Sequence, residues 1–351
     1  MNTTLPQRSD LPVAIWLLVG VGMIMIQVVL GGITRLTGSG LSITEWKPIL
    51  GTLPPLNNAA WELAFSKYKQ IGQYKYLNPD FTLGDFKSIY FWEWLHRLWA
   101  RLLGVAFAIP FVIFIVQKRF RKEMIRPMVI LFLLGGLQGA IGWVMVKSGL
   151  NEENLYVSHI RLAVHFTAAL GLLVYTTWFA LQLLVLPQQQ VVRPALHKLG
   201  TAIVCLLVLQ LVYGAFMAGL KAGSYAPTWP TINGAWWPRD IYKFAGLQNW
   251  TNNPIAVHFV HRSLAYLLVL LVLTWTWQAA KVEGSTLFRK TRWLPLSIIL
   301  LQVLLGILTV LHSLQPKQLL WYGAAHQFVA MLFLLTMTCI LYVVRSRSYR
   351  L

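Results

Sequence analysis

Eight apolar stretches constrain this 351-residue chain more than any other feature, because each is long enough to cross ~30 Å of hydrocarbon as a helix. They run over 12–33, 91–116, 127–146, 161–186, 196–219, 256–280, 293–312 and 321–344. Each is apolar around its whole circumference, so in water it would have no solvated face. In lipid the backbone has to satisfy its own hydrogen bonds, and segments of this length do so as helices. The expected fold class is an all-α membrane protein with eight transmembrane helices. Composition points the same way: 12% of residues are charged, against roughly 25% in a soluble domain. An ordinary globule, a disordered regulator and a disulfide scaffold are excluded. Sixteen Trp, thirteen Tyr and seventeen Phe suit a chain anchored at two membrane interfaces.

The net charge of +19 does not indicate nucleic acid. The basic residues sit in short runs between apolar stretches, such as Lys118, Arg119, Arg121 and Lys122, the pattern of loops facing anionic lipid. Loops on the side of both termini hold fifteen Lys and Arg in short segments; the other side holds eleven, spread over longer ones. Both termini are therefore expected in the cytoplasm, with loops 34–90 and 220–255 outside. The first eleven residues are too short for a separate signal peptide. Cys205 and Cys339 lie inside apolar spans and build no disulfide or zinc pattern.

A fourfold repeat runs through the spans. Near their outer ends the odd-numbered ones read Q-x-x-x-G, at Gln27/Gly31, Gln138/Gly142, Gln210/Gly214 and Gln302/Gly306. The even-numbered ones read H-x-x-x-A, at His96/Ala100, His165/Ala169, His261/Ala265 and His326/Ala330. One unit is a helix pair, and the units group into halves 1–186 and 187–351, expected as two pseudo-symmetric four-helix bundles. The loops repeat as well. Thr34-Arg35-Leu36-Thr37-Gly38-Ser39-Gly40-Leu41-Ser42 leads to Trp46 and Pro48, and Gly219-Leu220-Lys221-Ala222-Gly223-Ser224 leads to Trp229 and Pro230. The small residues read equally well as close helix packing.

Packing does not explain four histidines at one depth. Each half offers two imidazoles, which is how axial ligands are presented to a haem iron, and the nearby Ala leaves room for a flat macrocycle. Zinc fits less well, since no third ligand converges in either half. Arg97, Arg161 and Arg262 lie beside these histidines and suit haem propionates, or headgroups if they snorkel. His258 shares a helix face with His261 as a supporting partner; His159, His197 and His312 belong to loops or helix ends. Three residues before each pocket histidine stand Glu93, Leu162, His258 and Gly323, so only the first unit carries a carboxylate. A buried acid there suggests a reactive first half and an electron-transferring second half; a salt bridge to Arg97 or Arg101 is the plainer reading.

On the residues Glu93-Trp94-Leu95-His96-Arg97, Arg161-Leu162-Ala163-Val164-His165, His261-Arg262 and His326-Gln327, with the 34–42 loop and Trp46, the chain resembles the haem A synthase family. The resemblance covers nearly the whole chain. It implies an enzyme of the bacterial inner membrane that oxidises a ring methyl of haem O to a formyl group by two successive hydroxylations. It places haem O near His96 and His165, haem b between His261 and His326, and Glu93 as the essential carboxylate beside the reacting methyl. Haem O synthase and cytochrome oxidase assembly factors are its implied partners. Some members of the family carry a cysteine pair in the first outer loop; this chain has none there, so a thiol–disulfide step through that loop is excluded. The loop Ala226-Pro227-Thr228-Trp229-Pro230-Thr231-Ile232-Asn233-Gly234 matches the family's shape and is expected to cover the second haem. Two other readings account for the histidines: a quinol-linked bis-histidine cytochrome b, which has no need of Glu93, and a haem exporter, which needs openings on both faces.

Overall fold

The computed structural model describes residues 10–46 and 50–347. Pro48 and the chain termini, whose sidedness was expected from charge, lie outside the described residues. Eight long helices carry the fold: α1 (Leu11–Leu36), α2 (Leu83–Val116), α3 (Lys122–Lys147), α4 (His159–Leu184), α5 (Pro194–Gly219), α6 (Pro254–Ala280), α7 (Leu294–Leu311) and α8 (Pro316–Val343). All eight are long and apolar enough to cross a membrane, α7 together with the short helix Thr286–Thr291 that leads into it. The chain is a multi-pass integral membrane protein.

Helix starts follow local chemistry more than hydropathy. In α1, α5, α6, α7 and α8 a proline occupies the first turn, where its missing N–H costs no hydrogen bond. α2 begins eight residues before its apolar stretch because Thr82 and Asp85 form a reciprocal cap, each side chain accepting from the other's backbone N–H. His159 was expected in a loop; Ser158 caps the chain there and makes His159 the first residue of α4.

The helices pack on their neighbours both within the first four and last four and between them. α1 packs on α2 and α4, α3 on α4, and α2 more loosely on α3. α5 packs on α6, α6 on α7, α7 on α8, and α8 on α5. The sets meet through α4 on α5, α1 on α8, and α4 on α8. Their shared core includes Leu17, Leu173, Ile203, Trp275, Met331 and Met337, all buried. Trp275 is placed by an Nε1–H bond of 3.1 Å to Leu196 O. At one end of the helices, the two-residue strands β1 (Val191–Val192) and β2 (Val344–Arg345) pair in parallel and tie the middle linker to the end of α8.

The long loops form a folded layer over the opposite end. In the first, helices Asn58–Tyr68 and Gly72–Leu77 pack Leu41, Phe65, Tyr68 and Ile71 onto Phe86 and Ile89 of α2. The Tyr68 hydroxyl donates to Gln73 Oε1 and accepts from Asn78 Nδ2, and burial pushes its phenol up to about 12. In the second, Asn249 accepts from the N–H groups of Lys243 and Phe244 and donates to Ile241 O, while Asn253 donates to Asp240 O. This layer roofs the helix ends that bear the repeated histidines.

Candidate functional site

The repeated glutamines and glycines belong to the histidines. In every unit the odd helix lays its glycine under the imidazole of the following even helix. A Cβ added to Gly31, Gly142, Gly214 or Gly306 would lie 3.1, 2.8, 3.4 or 2.9 Å from Cε1 of His96, His165, His261 or His326 respectively. One turn earlier on the same helix, the glutamine reaches the same ring. Gln27 Nε2 lies 3.2 Å from both ring nitrogens of His96, and Gln302 Nε2 lies 3.1 and 3.2 Å from those of His326. Gln138 Nε2 lies 3.1 Å from His165 Nδ1, and Gln210 Nε2 lies 3.4 Å from His261 Nε2. At Gly31, Gly142 and Gly306 the ring leaves little or no room for a Cβ, a closer reason for glycine than helix packing alone, while at Gly214 a Cβ would make an ordinary contact.

The rings are grouped in twos. His96 lies close to His165, and His261 to His326. All four are half-buried. Among the described residues no three His, Cys, Asp or Glu side chains converge as a metal cluster would require. Two imidazoles per half suit a bis-axially ligated haem, whose remaining ligands come from the porphyrin. The cradling glycines and the buried unpartnered atoms Gln27 Oε1, Gln210 Oε1, Gln302 Oε1 and His261 Nδ1 are consistent with that group.

Around the rings, the arginines hold the loops. Glu93 is 3% exposed. Its Oε1 meets Arg97 Nη2 at 2.6 Å, and its Oε2 accepts from the Ser42 hydroxyl at 2.7 Å and the Ile43 N–H at 2.8 Å. Arg97 also donates to Ile43 O and Glu45 O, and Trp46 stacks on Trp143 of α3 at 5.5 Å. The first loop is thus clamped over His96 from two helices. The carboxylate has firm partners, Arg97 among them, because Ser42 and Ile43 are folded back onto α2. Arg101 also makes contacts of its own.

The second half repeats the clamp with different chemistry. Arg262 donates to Thr228 O, Pro230 O and Thr231 O, and meets Nε2 of the fully buried His258 at 3.0 Å. Arg161 is exposed and donates to Val144 O. Of the remaining histidines, His159 Nε2 meets Asn252 Oδ1, His197 Nδ1 donates to Val344 O, and His312 Nδ1 donates to Leu308 O. Cys205 and Cys339 are free thiols.

Several contributors escape a reading of spacing alone. Ser42 and Ile43 reach Glu93 only through the loop fold. Gln327, next to His326, donates across the interface to Val28 O of α1, and its side-chain end fills the space a Cβ on Gly32 would need. The glutamines had announced themselves by recurring four times, but their partner was one helix away.

The fold and the site define a class: an eight-helix membrane protein with two pairs of intramembrane histidines under folded loops. Comparison with known proteins narrows it. The profile of the cytochrome oxidase assembly protein family (COX15-CtaA) matches residues 14–338, and the chain belongs to this family. It is 40% identical over 336 residues to a heme A synthase of Flavobacterium psychrophilum, covering 94% of this chain and 97% of the relative. It is 45% identical over 315 residues to a heme A synthase of Rhodospirillum centenum, with 87% and 83% covered. A third heme A synthase, of Azorhizobium caulinodans, is 43% identical over 332 residues, with 93% of each covered. The family resemblance carried by the Glu93 and histidine motifs is borne out.

Proposed function

We propose that this chain is a haem A synthase of the bacterial inner membrane, with both termini cytoplasmic and the histidine sites near the outer face. Haem O is the substrate, held in the first half (1–186) by His96 and His165. Haem b is the resident cofactor, held in the second half (187–351) by His261 and His326, and the halves are pseudo-symmetric. When bound, haem b supplies reversible one-electron transfer. Taking a ring methyl to a formyl group withdraws electrons from the carbon in two stages, so positive charge develops beside the first-half pocket.

The observation that carries this reading is that two like-built histidine pairs differ by one buried carboxylate. Glu93 projects from the same helix face as His96, one turn nearer the loop end. In a dry site a fixed carboxylate stabilises positive charge developing on the reacting carbon. Arg97 and Ser42 hold it in place and close the loop against water. Arg97 and Arg262 sit at the rims of the two pockets. Arg161, exposed with a single backbone acceptor, is the arginine best placed to turn toward a propionate. Haem O synthase and oxidase assembly factors are the expected sources and recipients of the haem.

The test is Glu93→Gln and Glu93→Ala, with haems extracted and identified by mass from cells making each variant. Loss of haem A with pigment still bound is the expected outcome. Undiminished haem A would remove Glu93 from the chemistry, and no haem A from cells making the wild type would leave a bis-histidine cytochrome b that only passes electrons.

A further inference from the structure

The first four helices meet the last four where α4 packs on α5 and where α8 packs on α1. The same repeat positions touch at both seams. Leu162 and Gly323 stand three residues before a pocket histidine, and Gly219 and Leu36 stand five after a cradling glycine. A Cβ on Gly219 would lie 3.5 Å from Leu162 Cδ2, and one on Gly323 would lie 3.2 Å from Leu36 Cδ1. At the residue after the histidine the seams part. Phe166, after His165, packs against the apolar cluster that contains Ala215. The corresponding pair on α8 and α1 is Gln327 and Gly32. Gln327 Nε2 donates to Val28 O at 3.0 Å, and a Cβ on Gly32 would overlap the Gln327 Oε1.

An amide inside an apolar bundle costs free energy unless it is hydrogen-bonded, and the other seam fills the same position with phenylalanine. Bulk alone therefore does not call for glutamine. What the amide adds is a grip on the backbone of α1, and the missing side chain of Gly32 admits it. With about 3.6 residues per turn, Val28 and Gly32 lie roughly 100° round α1 from Gln27 and Gly31, at nearly the same height. Gln27 Nε2 is 3.2 Å from both ring nitrogens of His96, and a Cβ on Gly31 would lie 3.1 Å from its Cε1. One side of this turn is held by the second half and the other supports the first half's histidine. We propose that Gln327 is a positioning residue for His96: seated in the notch at Gly32, it fixes the turn of α1 that carries Gln27 and Gly31, so the second half completes the first half's site.

This assignment rests on the reading of His96 and His165 as the haem O site, and one experiment separates the two. Full-length protein is purified with its pigment as wild type, Gln327→Ala, Gly32→Ala, the double variant and His96→Ala. Each is titrated with haem O, and the dissociation constant and absorption spectrum of the added haem are recorded beside the second site's low-spin band. Gln327→Ala is expected to weaken haem O binding several-fold and shift its spectrum, with the second-site band in place. Gly32→Ala should weaken binding further, because its methyl group and the amide compete for one space. Combining the two should recover about 2-fold or more relative to Gly32→Ala, the coupling expected of residues in contact. Wild-type haem O binding by Gln327→Ala, or a double variant no better than Gly32→Ala, overturns the assignment. A changed second-site band with unchanged haem O binding also overturns it, and leaves Gln327 serving His326. Should Gly32→Ala yield no folded protein, Gln327→Ala alone decides. If the wild type takes up no haem O, or His96→Ala takes it up equally well, the substrate reading falls and this assignment with it.

Discussion

The two halves build the same clamp and fill it differently. In each, an arginine immediately after a pocket histidine donates to carbonyls of the preceding loop: Arg97 to Ile43 and Glu45, Arg262 to Thr228, Pro230 and Thr231. One turn back on the same helix stands Glu93 in one case and His258 in the other, both buried and both meeting the arginine. Loop closure is common to the halves and needs no acid. The carboxylate is what is particular to the first, and it also captures Ser42 and the Ile43 N–H. A feature shared by both halves therefore speaks of architecture, and one confined to a single half speaks of chemistry.

The sharpest way to break this comparison is to exchange the distinguishing residues. Glu93→His should lower haem A formation by about 10²- to 10⁴-fold, the range of a positioned acid–base or charged group. Pigment at His261 and His326 should be retained. His258→Glu should keep the second site's spectrum and generate no second oxidised product. Extracted haems identified by mass, with a reduced-minus-oxidised spectrum, check both. Haem A made at normal rates by Glu93→His would mean that the difference between the halves is not chemical.

The arginines come next. Arg97→Leu strands a buried carboxylate and should cost about 3–5 kcal/mol, as removing one member of a buried ion pair does. Arg262→Leu forfeits bonds to carbonyls and to His258, with no buried acid left behind, and should cost less, about 1–3 kcal/mol. Thermal unfolding of the two variants in the same detergent gives the order. Equal losses would show that the carboxylate adds nothing beyond loop closure.

The eight helices, the recurring Gln, Gly and His positions and the burial of Glu93 were all legible in the sequence. Long apolar runs leave the backbone one option, and a residue type recurring at one depth survives any error in helix ends. What stayed hidden depends on contacts across distance. Spacing shows that Arg97 adjoins His96, but only the fold brings Ile43 and Glu45 to its guanidinium; from sequence the same arginine suits a propionate. The start of α2 was misplaced because hydropathy does not register the Thr82–Asp85 cap. Q-x-x-x-G was visible as a pattern, and its glycines read as packing because the ring they cradle lies on the next helix.

That cradle gives a finer comparison, within each half. Gly142→Ala and Gly306→Ala would bring a Cβ to 2.8 and 2.9 Å from an imidazole carbon, so the ring has to move. Gly214→Ala would place it at 3.4 Å, an ordinary contact. In the second half, Gly306→Ala should broaden or shift the low-spin band while Gly214→Ala leaves it unchanged. Similar spectra for the two would mean the rings are not held by these glycines.

The smallest effect concerns space. Gly104, Gly135, Gly136 and Gly139, on α2 and α3, have nothing within 4 Å of an added Cβ. Counting from the repeated His and Gln, the second half has Val269, Ile299, Leu300 and Val303 at these positions. The first half is therefore roomier along its α2–α3 side, where its helices also pack most loosely. If that room serves a substrate that enters and leaves, narrowing it should hinder turnover without harming the fold. A Cβ at Gly139 meets nothing within 4 Å, and valine recovers part of the roughly 0.5–1 kcal/mol that a helical glycine costs relative to alanine, so stability should hold or rise slightly. KM for haem O should increase a few-fold while the second-site spectrum stays constant. An unchanged KM would make the glycines a difference in lipid packing, and would leave Glu93 as the feature that sets the first half apart.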